Sequence, residues 1–193
     1  MPGFSDISAT QRSSLSSTSL EAEGTGMHMG GGGLSAPPNL FQTVASFSDS
    51  SFEVAFDVDE PTPYQLAAHV TATGGLSANS MARVRLRTSG GATLAEVVAA
   101  TDPNCMDSSC ATVGPFPLTQ TDVLAPGSYV LEASTTGSAA PFFFANQFFT
   151  FVSTGEYEVE LSLVAVPALG PGTLALLVFL LAASATARLR ASR

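Results

Sequence analysis

Cys105 and Cys110 sit in the turn-rich stretch Asp102-Pro103-Asn104-Cys105-Met106-Asp107-Ser108-Ser109-Cys110. Two thiols this close in a turn-rich loop read as one local disulfide if the chain is exported, with two free thiols as the alternative. A zinc site needs more ligands nearby, and the two histidines, His28 and His69, lie far away in sequence. Asp57-Val58-Asp59-Glu60 offers the oxygen donors that calcium takes. It lacks the glycine of a calcium loop, so a charged strand end that blocks edge pairing is the competing reading. Met27-His28-Met29 presents soft donors beside a glycine run and is read as incidental. Arg83, Arg85 and Arg87 form a stripe at strand spacing. They can pair with acidic strands across a sheet, or touch an acidic polysaccharide. There is no Gly-x-Ser-x-Gly elbow and no His-Glu-x-x-His pair. No catalytic residue, metal or cofactor is therefore expected.

The elements that hold these side chains are strands. Phe52, Val54, Phe56 and Val58 alternate with Glu53, Ala55, Asp57 and Asp59, which is a strand with one buried and one wet face. Glu60-Pro61-Thr62-Pro63 ends it. Tyr64, Leu66, Ala68, Val70 and Ala72 then face one way, which puts His69 on the outer phase. Val84 and Leu86 point inward between the three arginines, and Thr93 to Ala100 returns. A strand follows the cysteine loop over Pro115 to Val123. Leu124-Ala125-Pro126-Gly127-Ser128 has the proline and glycine of a type II turn and launches Tyr129, Leu131 and Ala133 as an inward set. Phenylalanines 142–144, 148, 149 and 151 are too many for one face and are read as core from both phases. Tyr157, Val159, Leu161 and Leu163 alternate with Glu156, Glu158 and Glu160. This pattern predicts an all-β fold, an antiparallel, jelly-roll-like β-sandwich over residues 41–164. Residues 1–40, rich in Ser and Gly, read as a flexible lead-in or a worn first strand.

Composition narrows the function classes. The chain has 193 residues, seven Arg and no Lys, with a formal charge of −9. Residues 1–160 hold all sixteen acids and four arginines, a net −12, and residues 161–193 carry +3. So acidic a body argues against nucleic acid, which needs a basic footprint. It suits solubility outside the cell.

Residues 165–193 form the third segment. Between Leu161 and Ala187 there is no charge; then come Arg188, Arg190 and Arg193. Val166-Pro167-Ala168-Leu169-Gly170-Pro171-Gly172 breaks regular structure ahead of the apolar run Leu174 to Ala187. Counted back to Ala168, the run reaches the roughly 17–25 residues of a single spanning helix, with the arginines kept cytoplasmic. The order of turn motif, apolar helix and basic tip resembles the C-terminal sorting domains of the PEP-CTERM and IPTL-CTERM families of Gram-negative bacteria. Val166-Pro167 matches the start of the PEP motif, with Ala168 where Glu is usual. Val166-Pro167-Ala168-Leu169 comes nearer to the IPTL pattern, without the aromatic that usually follows. The resemblance implies recognition by an exosortase-type transpeptidase. A plain single-pass anchor is the alternative. Pro-Thr-Pro-Tyr, a strand, then Leu-Ala-Pro-Gly-Ser-Tyr is also similar to β-sandwich domains of PEP-CTERM proteins and to bacterial pre-peptidase C-terminal domains. The expectation is a non-enzymatic protein of the cell surface or extracellular matrix, held at the cell membrane with its body exported. A carbohydrate-binding module or a secreted hydrolase are the rivals, and an extracellular polysaccharide is the further partner considered. Met1 to Asp6 has no basic n-region and no apolar h-region, so the expectation is a start truncated upstream of Met1, with insertion by the tail as the alternative.

Overall fold

The computed structural model describes residues 4–16, 18–33, 46–74, 78–102, 112–139 and 148–164. Cys105, Cys110, phenylalanines 142–144 and the whole segment 165–193 lie outside the described residues. The expected disulfide, sorting motif, spanning helix and basic tip therefore lie there too.

Among the described residues nine strands make two antiparallel sheets. They are β1 (Phe4–Leu15), β2 (Ser19–Gly33), β3 (Ser46–Val58), β4 (Thr62–Thr73), β5 (Ala78–Thr88), β6 (Thr93–Ala100), β7 (Thr112–Leu124), β8 (Gly127–Ala139) and β9 (Phe148–Leu163). One sheet runs β1-β2-β9-β4-β7 and the other β3-β8-β5-β6. The pairing is nested: β2 with β9, β3 with β8, β4 with β7 and β5 with β6. The chain from β2 to β9 thus forms one long antiparallel ribbon rolled into two layers. Among the described residues there is no helix.

Period-two patterning explains the layers. Tyr64, Leu66, Ala68, Val70 and Ala72 are buried on β4; Tyr157, Val159 and Leu161 on β9; Val84, Leu86, Leu131 and Ala133 on the facing sheet. These side chains form one core. Fully burying a Val, Leu or Phe stabilises by about 1.5–3 kcal/mol, so register is strongly specified on these strands. β7 carries Pro115 and Pro117, which cannot donate to a ladder. It accordingly lies at a sheet edge. Its partner register slips between Val70 and Ala72. Gly114 sits beside this slip at φ 106°, where a Cβ would fall 2.7 Å from the Val70 carbonyl oxygen.

Around Thr135 the described interior is small and polar. Thr135 of β8 inserts between Gly26 and Gly155: a Cβ on Gly26 would lie 2.5 Å from its Oγ1, and one on Gly155 2.9 Å from its Cβ. The Tyr157 ring covers Gly24, leaving 2.4 Å for a Cβ there. At the same end the Ser80 hydroxyl donates across the sandwich to the carbonyls of Thr73 (3.0 Å) and Thr154 (2.9 Å). At the opposite end the Tyr129 hydroxyl donates to the Ala125 carbonyl at 2.7 Å. Gly127 is nearly extended at φ 158°. Ala125 and Pro126 therefore carry the chain from one sheet to the other, instead of closing the expected type II turn.

The expected lead-in over residues 1–40 needs revision. It carries β1 and β2, and β2 lies beside β9 with Leu20 and Ala22 in the core. The sandwich thus begins before residue 41. Glycine in β2 is not a linker signal: Gly24 and Gly26 make room for Tyr157 and Thr135.

Candidate functional site

The outer face of the five-stranded sheet gathers charge. β9 contributes Glu156, Glu158 and Glu160, and β2 contributes Glu21 and Glu23, all exposed. The register sets Glu21 opposite Glu160 and Glu23 opposite Glu158. On the other flank of β9, His69 stands opposite Glu158 and Thr71 opposite Glu156. Arg12 on β1 approaches Glu23 at 3.6 Å, with both side chains well exposed. A shallow groove of about 680 Å³ follows this row past Thr10, Arg12, Glu23, His69, Glu156 and Glu158.

Directly opposed like charges destabilise a sheet, and here they occur in two neighbouring rows at its centre. One arginine does not neutralise five carboxylates. The face therefore carries a negative field suited to cations and repelling polyanions. Exposed glutamates also lose their repulsion in salt. Glu158→Gln should raise the thermal midpoint by about 1–3 °C at low ionic strength. The gain should shrink in 1 M salt, where the screening length falls to about 3 Å. Melting curves at both salt levels test this; a variant no more stable than wild type in low salt would show that the repulsion is negligible.

On the outer face of the four-stranded sheet the three arginines of β5 pair with Glu96 and Glu132, while Asp49, Glu53 and Asp57 of β3 stay exposed beside them. Arg85 donates to Glu132 through Nε at 2.8 Å, and Arg87 through its own Nε at 2.5 Å. Arg83 pairs with Glu96. Burial alone would raise the Glu132 pKa, but the hydrogen bonds from Arg85 and Arg87 outweigh it and hold the carboxyl below the ordinary carboxylate range. Of the two uses open to this stripe, the structure shows the cross-strand pairing.

The other candidates are placed as follows. Asp57 accepts the Ser128 hydroxyl at 2.6 Å, Val58 is buried, and Glu60 is engaged through its backbone carbonyl, by Thr62. Among the described residues no three metal-ligating side chains come together. Met27 and Met29 lie half-buried on β2. His69 is exposed, on the outer phase its strand predicts. The acidic face itself was not foreseen. The alternation Leu20-Glu21-Ala22-Glu23 was its signal, hidden in a segment read as a lead-in.

No family model matches the chain, and no curated protein sequence matches it. Among solved structures, the enzymatically active domain of bacteriophage CBA120 tailspike protein 4 aligns at 10% identity and a TM-score of 0.28, over 82% of this chain and 19% of that one. A structure of infectious bursal disease virus, Gx strain, aligns at 11% identity and a TM-score of 0.26, over 86% and 42%. This chain thus spans under half the length of either. Similarity at this level carries nothing about activity.

Proposed function

We propose that this chain is a non-enzymatic surface or matrix protein, exported, and tethered by its C-terminal segment. In this reading the nested strand pairing is jelly-roll winding. Residues 165–193 are a sorting signal with a single spanning helix, C-terminus cytoplasmic. The partners are the membrane and an exosortase-type transpeptidase that reads Val166, Pro167, Ala168 and Leu169. Arg188, Arg190 and Arg193 hold the cytoplasmic end. The observation that carries the reading is the handover at the end of β9. The Leu163 amide donates to the Thr18 carbonyl at 2.7 Å, and the Val164 amide to the Pro63 carbonyl at 2.8 Å. The body is therefore bonded to within two residues of Val166, and the motif and apolar run follow with no spacer.

Deleting Leu174 to Arg193 should move the protein wholly from the membrane pellet to the soluble exported fraction. Each central Leu, Val or Phe contributes about −0.3 to −0.6 kcal/mol to insertion. Val166→Ala with Pro167→Ala should leave insertion intact and accumulate uncut protein, heavier on a gel. Retention of the deleted form in membranes would refute the anchor. A double variant identical to wild type in mass and location would reduce the tail to a plain anchor.

A further inference from the structure

Among the described residues four strands end a sheet: β1 and β7 in one, β3 and β6 in the other. An open edge is a template for another strand, and proteins blunt it with proline, bulges, charge or shortness. β7 has Pro115, Pro117 and a register slip. β6 is only eight residues long, and its ladder slips between Leu86 and Arg87. β3 carries Asp49, Glu53 and Asp57 on its outer phase, so a second β3 beside it would set acid against acid.

β1 has no proline and no bulge among its paired residues, is twelve residues long, and carries charges that balance. It pairs with β2 without interruption, from Phe4 opposite Gly31 to Leu15 opposite Leu20. It contains no lysine. From Ile7 to Leu15 both phases are exposed, with Ile7 at 50%. Its only charges are Asp6 and Arg12, opposite in sign and each three residues from Ala9.

We propose that β1 docks against β1 of a second copy, antiparallel and centred on Ala9, to form one continuous ten-stranded sheet. In that register Asp6 of each copy stands opposite Arg12 of the other, Ile7 opposite Gln11, and Ser8 opposite Thr10. Moving the centre by one residue takes both acids away from both arginines, so the charges select the register. The arrangement is isologous: each copy uses the one edge that, among the described residues, is not blunted, and growth stops at two. The two-fold axis stands perpendicular to the sheet, so the acidic faces of both copies become one surface.

Sedimentation equilibrium of the full chain in detergent micelles tests this. Wild type should sediment as a dimer. Asp6→Arg alone and Arg12→Asp alone should each weaken dimerisation about tenfold or more, because two attractive pairs become repulsive. Asp6→Arg leaves the Arg12–Glu23 pair in place, which separates the edge effect from a local one. An equimolar mixture of the two variants should dimerise again, since one edge is then wholly basic and the other wholly acidic. Restoration also shows that both variants are folded. A monomeric wild type overturns the proposal, as do single variants that associate like wild type or a mixture no tighter than its components.

Discussion

Gly24→Val is expected to cost about 3 kcal/mol or more, the largest loss foreseen for a single added side chain in this fold. The position does not require unusual backbone angles; it requires empty space. A Cβ on Gly24 would lie 2.4–2.5 Å from Cζ, Cε1 and the hydroxyl oxygen of Tyr157. Real atoms do not approach so closely, and the Tyr157 ring is only 3% exposed. A β-branched residue must either force β2 away from the facing sheet or expel the ring. Overpacking costs about 1–3 kcal/mol, and losing a buried aromatic about 3–5. The urea midpoint should fall accordingly, with the slope unchanged if unfolding stays two-state. Tyr157→Phe removes one of the three clashing atoms, so in the Gly24→Val background it should recover part of the loss. A Gly24→Val chain as stable as wild type would mean that Tyr157 does not lie over β2.

The second large effect belongs to Glu132. Glu132→Ala strips the shared acceptor from Arg85 and Arg87, whose side chains are 25% and 21% exposed. Hydrogen bonds to charged groups contribute about 1.5–3 kcal/mol. Partial solvation of both arginines lowers the total, so a loss of about 2 kcal/mol is expected. The pH dependence separates charge from packing. Folding holds this carboxyl below its ordinary range. Its contribution is therefore complete above the unfolded pKa of about 4.3 and disappears as pH falls through the folded value. Wild type should lose stability on acidification through that window more steeply than Glu132→Gln. Equal slopes for the two would show that the arginine pairs add nothing to folding.

Both effects involve residues distant in sequence, and this sets what the sequence shows. Strands β3, β4, β5, β8 and β9 are visible because apolar and polar residues alternate along each one, while β6 and β7 are placed only as stretches between turn signals. Tyr64 to Ala72 and Tyr157 to Leu163 need no partner to be recognised. The inward pointing of Val84 and Leu86 follows in the same way. β1 and β2 escape, because β2 places Gly24 and Gly26 at inward positions where a strand ordinarily carries Val or Ile. Those glycines answer to Tyr157 and Thr135, more than a hundred residues later, and no local pattern records that. Arg83, Arg85 and Arg87 are legible as a stripe, while their acceptors Glu96 and Glu132 are fixed only by register. The acidic face has the same origin: Glu21 and Glu23 meet Glu160 and Glu158 only because β2 returns beside β9. The nested pairing of β2 to β9 is a long-range property and cannot be read from spacing.

The position of β9 also decides how the body answers to force. The chain passes Val164 from the middle strand of the five, with β2 on one side and β4 on the other. A pull applied there along the strand loads both ladders together, and their hydrogen bonds must shear as a set. The same pull along an outer strand such as β1 would load only its single ladder with β2. Rupture under such a load is governed by the unfolding rate, so the two ladders that flank β9 set it together.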